Sequence, residues 1–119
     1  MPFTRVISVR GALPQVANMN VTAASQLLLV AGSAFAPAGG AGSILTMEIL
    51  VDANVVGRCS IFANTELIHI PFVPAFIPLT LNAASNPFAV TLRSTSSAFF
   101  PGTIAATDQN DFFEVTLIE

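Results

Sequence analysis

The chain predicts an all-β fold, a jelly-roll-like antiparallel sandwich or barrel in a single domain with an N-terminal arm. Three observations lead there. Apolar residues alternate with polar ones at period two in several short runs, the signature of half-buried strands. Clusters of Gly, Pro, Asn, Asp and Ser separate these runs at short intervals. No stretch sustains the three-and-four spacing of an amphipathic helix. About seven or eight short strands joined partly by long crossovers favour a jelly roll over an up-and-down meander. A length of 119 residues suits one domain with a real core.

Residues 44–64, ILTMEILVDANVVGRCSIFAN, read as a β-hairpin around which the remaining strands pack. Leu45, Met47, Ile49 and Val51 share one face, while Thr46, Glu48 and Asp52 share the other. Asp52-Ala53-Asn54 supplies turn residues that bond to their own backbone. On the return, Val55, Cys59 and Ile61 face one way, and Arg58 and Ser60 the other.

Residues 1–20 form a lead-in, either an arm that docks on a neighbour or an edge strand of the same domain; residues 21–119 form the sandwich. Within 21–36, Leu27-Leu28-Leu29-Val30 runs without alternation, as a strand buried on both faces does; the alanines before it would also suit a helix, but the helical spacing stops at Val30. Residues 37–43, PAGGAGS, make a loop of small residues. In 67–81, Pro71, Pro74 and Pro78 exclude one long central strand. Two short strands with a bend near residues 73–75 fit instead, with Ile68, Ile70 and Phe72, then Ile77, Leu79 and Leu81, pointing inward. After a turn at 82–86, Phe88, Val90 and Leu92 alternate against Ala89, Thr91 and Arg93. Residues 94–109 are Ser/Thr-rich, and 112–119 close with Phe113, Val115 and Leu117 inward.

Composition restricts function. Hydrophobic residues make up 53% of the chain and charged residues 9%, against about a quarter in an average domain. No lysine is present, and the cations are Arg5, Arg10, Arg58 and Arg93. So little charge leaves apolar surface that copies of the same chain or a larger assembly would cover. A membrane is the poorer cover, because the uncharged stretch 11–47 is interrupted by Asn, Gln, Ser, Gly and Pro. A net charge of −3 argues against nucleic acid. Arg5 and Arg10 interrupt the place where a signal peptide has its apolar run, so no export signal is read. Cys59, alone and within a strand, reads as a small buried hydrophobe, which suits assembly in a reducing cytoplasm.

Catalytic chemistry is not expected. His69 lies between Ile68 and Ile70 and reads as a core or interface residue rather than a base. No GxSxG elbow occurs, and Ser8, Ser25 and Ser33 lack a nucleophile's context. His69 and Cys59 alone do not make a zinc site. Gly39, Gly40 and Gly42 lack the Lys and Ser/Thr of a phosphate loop. The absence of Trp and Tyr removes the usual sugar-stacking platforms. No cofactor and no metal are expected. The one open question is Asp108, Asp111 and Glu114, oxygen ligands whose spacing falls short of an EF-hand; they suit either calcium or a polar turn capping the last strand. The residues expected at an interface are Phe3, Phe35, Phe76, Phe99 and Phe100; at least one of the adjacent Phe99-Phe100 pair must leave its own sheet.

The order of features resembles the C1q/TNF-like jelly roll. A hairpin with a D/N turn (Val51-Asp52-Ala53-Asn54-Val55-Val56) precedes a bent apolar strand (69–81), then a strand at 88–93 and a closing strand carrying Phe112, Phe113, Val115 and Leu117. The resemblance covers residues 21–119 and departs from the family in lacking tyrosine, and with it a Gly-x-Tyr-x-Phe signature. The chain is also similar to small phage virion proteins, the capsid decoration (cement) proteins and fibre heads. These resemblances imply a virion protein assembled in the host cytoplasm, a homotrimer that stabilises a particle by apolar contacts with itself and a major capsid or other virion protein. The alternative they imply is a receptor- or carbohydrate-binding head using the loops at 37–43, 94–103 and 108–111.

Overall fold

A computed structural model describes residues 2–36, 43–95 and 108–119. It is all-β: nine strands and a single 3-10 turn at Ala83–Ser85, with no α-helix among the described residues. The strands are β1 (Phe3–Arg10), β2 (Gln15–Met19), β3 (Gln26–Ala36), β4 (Ser43–Val51), β5 (Asn54–Ala63), β6 (Ile68–Pro71), β7 (Ala75–Leu79), β8 (Phe88–Thr95) and β9 (Phe112–Ile118). One sheet runs β1-β9-β3-β6, with β7 also paired to β3; the other runs β2-β8-β4-β5. All pairings are antiparallel.

Pro71 and Pro74 explain the split between β6 and β7, since neither can donate to a ladder. Both pieces lie on β3, Ile70 opposite Ala34 and Ile77 opposite Leu28, so they act as one bent strand. Counted that way, eight strands alternate between two sheets except at the β4–β5 hairpin, and the order is jelly-roll-like. The lead-in provides an edge to each sheet: β1 pairs with β9, and β2 with β8.

The core fills the space between the sheets. Leu28, Val30, Met47, Ile49, Val90, Leu92, Phe113, Val115 and Leu117 are all essentially inaccessible, and Phe72 meets Phe113 at a ring separation of 6.2 Å. The alternation in β8, in β9 and at Met47, Ile49 and Val51 of β4 therefore points as the sequence predicts; the Leu45 side chain lies outside the described ones. Two positions differ. Val55 is 38% exposed because a register shift between Ile49 and Leu50 places an extra residue, Val56, in the return strand. Ile68 is exposed because it begins an edge strand, whereas Ile70 and Phe72 do reach the core. Cys59 is buried, and that burial pushes its thiol pKa up.

Candidate functional site

The outer faces of the two sheets differ in chemistry, and the registers show how. On the β2-β8-β4-β5 sheet the middle of the outer face is polar, and its exposed apolar residues, Val16, Val55 and Phe62, lie on the two edge strands β2 and β5. Thr46 and Ser60 hydroxyls lie 3.1 Å apart. Beside them Glu48 takes Arg58 on one carboxylate oxygen and Arg93 on the other, both at 3.1 Å. Glu48, expected on the outer face, is buried there under its two guanidinium groups.

On the other sheet, β9 places Val115 and Leu117 inward and Thr116 and Ile118 outward. Register carries this across the sheet: Phe3 and Leu27 flank Ile118, Pro78 flanks Leu27, and Phe76 flanks Leu29. One end of this outer face is therefore apolar from edge to edge. Phe3 is 70% exposed and Phe76 62%. Leu27 and Leu29 remain half-buried, and Ile118 is covered yet outside the core cluster. Arg5 borders the patch and is occupied by Glu114 at 3.0 Å.

Toward the opposite end of the same sheet stands a cluster of titratable groups. The polar turn before β9 is held by its own bonds: the Asn110 amide donates to Asp108 Oδ1 at 2.7 Å, and the Asp111 amide to the Asp108 carbonyl at 3.1 Å. The turn aims Asp111 inward, where its Oδ1 accepts from the Phe35 amide at 2.8 Å. The β3–β6 register sets His69 opposite Phe35, ring centroids 5.2 Å apart. His69 Nε2 then lies 3.6 Å from Asp111 Oδ1 and 3.8 Å from Asp108 Oδ1. Asp111 is fully buried, and its Oδ2 has no hydrogen-bond partner. Burial pushes its carboxyl pKa up, opposed by the Phe35 amide.

Of the residues singled out by sequence, Phe3, Phe35 and Phe76 lie on the outer face of one sheet. Phe99 and Phe100 lie outside the described residues, as do 37–42 and 96–103 of the candidate binding loops. Asp108 and Asp111 come together, whereas Glu114 turns away to Arg5. His69 takes the third place in the cluster, a role its flanking isoleucines conceal. Among the described residues no other group of three His, Cys, Asp or Glu side chains gathers its donor atoms so closely, within 4.8 Å of one another. An open depression of about 390 Å³, lined by residues 22–24 and 80–83, presents only Thr, Ala, Leu and Asn side chains. No helix among the described residues is long and apolar enough to cross a membrane. No protein-family model matches the chain, and no curated protein matches it.

Proposed function

We propose that the chain is a non-enzymatic structural subunit that associates with copies of itself through the outer face of the β1-β9-β3-β7 sheet. The observation that carries this is the contrast between faces. A lone sandwich exposes polar residues on both outer surfaces; here one face has a polar centre, with exposed Val16, Val55 and Phe62 confined to its edge strands, while the other places Phe3, Ile118, Leu27, Pro78, Leu29 and Phe76 side by side. Phe3 and Phe76 each leave on the order of 100–170 Å² exposed, since a phenylalanine presents about 150–250 Å² in all. Burying either contributes about 1–2 kcal/mol gross, two-thirds of the value for a whole side chain, before association entropy is subtracted. Fold-level analogy with virion jelly rolls extends the reading to a homotrimeric capsid-decoration subunit seated on a particle.

Light scattering of the purified chain across a range of concentrations tests this reading. The expected result is a closed trimer that Leu29→Asp and Phe76→Asp convert to folded monomers, while Ser60→Asp on the polar face leaves it intact. A monomeric wild-type chain, or a trimer indifferent to both face variants, overturns the proposal.

A further inference from the structure

We propose that His69, Asp108 and Asp111 form a binding site for one divalent first-row transition-metal ion of the Zn²⁺ or Mn²⁺ kind, independent of the apolar face. The first support is the spacing of the donors. His69 Nε2 faces the two carboxylates at 3.6 and 3.8 Å, within ion-pair range but beyond hydrogen-bond reach. Ligand bonds of about 2.0–2.2 Å set donor atoms roughly 3–4 Å apart around a shared ion. Both His69–carboxylate spacings match that width, and all three donor atoms lie within 4.8 Å of one another.

The second support is independent of that spacing. Asp111 is wholly inaccessible; its Oδ1 accepts from the Phe35 amide on the side of His69, and its Oδ2 is the one buried side-chain polar atom without a hydrogen-bond partner among the described residues. A buried carboxylate with an orphaned oxygen is costly unless a cation compensates it. Of the four arginines, Arg5, Arg58 and Arg93 are engaged with Glu114 and Glu48, and Arg10 lies over the Phe112 ring while reaching the Asn110 carbonyl. None is recorded at Asp111.

The elements holding the donors are fixed. His69 is on a strand paired to β3, Asp111 is tied to the β3 backbone through Phe35, and Asp108 belongs to a doubly bonded turn. The His69 and Asp108 side chains are 38% and 32% exposed, so an ion can enter and water can complete its shell. One imidazole with two carboxylates suits Zn²⁺, Mn²⁺, Fe²⁺ or Co²⁺. Calcium and magnesium, which take all-oxygen shells, fit poorly.

Titration of the EDTA-treated chain with Co²⁺, read by visible absorption, tests the site directly, with thermal melting in Zn²⁺ as the second readout. The expected result is one ion per chain without a thiolate-to-metal band, and a higher melting temperature in Zn²⁺ than in EDTA. His69→Gln and Asp108→Asn, both partly exposed and so compatible with folding, should each weaken binding roughly tenfold or more and abolish the melting shift. Absence of saturable binding, a thiolate band from Cys59, equal binding by both variants, or displacement of Co²⁺ by equimolar Ca²⁺ would each overturn the proposal. Because the site lies within one chain, its outcome is separable from that of the association experiment.

Discussion

Two strand glycines that look alike in sequence have opposite tolerance for a methyl group. Gly32 sits where β3 passes β9, opposite Phe113. A Cβ there would approach the Phe112 carbonyl oxygen more closely than the 3.0 Å that real Cβ atoms respect, with Phe113 Cδ1 at 3.1 Å and Phe113 Cα at 3.3 Å. The obstacle is backbone, so relief requires β9 to move by more than half an ångström. Gly57→Ala meets Ile77 Cδ1 at 2.6 Å and Cγ1 at 3.0 Å, side-chain atoms that a rotamer change can move while the backbone stays in place. Overpacking costs about 1–3 kcal/mol, against about 0.4–1 kcal/mol gained by restricting the unfolded chain. Gly32→Ala should therefore lose on the order of 1–2 kcal/mol and Gly57→Ala close to none. An unfolding entropy of about 2.1 cal/mol/K per residue makes each kcal/mol worth about 4 °C at this length, so Gly32→Ala should melt about 4–8 °C lower by circular dichroism. Since Asp111 immediately precedes Phe112, the same displacement should weaken Co²⁺ binding. A Gly32→Ala protein melting at or above wild type would refute the reasoning about β9.

Two further perturbations follow from the charged groups. Arg58 and Arg93 share Glu48 and are both about half exposed or more, so Arg58→Ala and Arg93→Ala alone should cost at most about 1 kcal/mol each. Together they strand a nearly buried carboxylate, and denaturant unfolding should show a double-variant loss exceeding the sum; strict additivity would show that the arginines act separately. Glu119 accepts from the Ala23 and Thr22 amides, both at 2.7 Å, and these bonds hold its carboxyl pKa below the ordinary value. A lowered folded pKa contributes stability that is present above the unfolded value and is lost as pH falls through the folded one. The melting difference between wild type and Glu119→Gln should thus be largest near neutrality and shrink below about pH 4; a difference that grows on acidification would contradict the assignment.

Where one face of a strand is core and the other polar, alternation revealed both strand and orientation, as in β8 with Phe88, Val90 and Leu92 buried. Val55 was misplaced because a bulge leaves no periodic trace until the partner strand is known. The cluster was half legible. Asp108 and Asp111 announce a polar turn, but Glu114, three residues beyond Asp111, is carried about 10 Å along an extended strand and is claimed by Arg5. His69 reaches the carboxylates only through the β3–β6 register, which nothing local encodes. The informative ambiguity is β3. Its run Leu27-Leu28-Leu29-Val30 hid the period because both faces are apolar, and the registers separate Leu28 and Val30, deep in the core, from Leu27 and Leu29 on the outer face. A strand apolar on both sides whose own core covers only one leaves Leu27 and Leu29 half-buried on the other. The exposed Phe3 on β1 and Phe76 on β7 extend that apolar side to both edges of the sheet, which is why the association experiment targets this face.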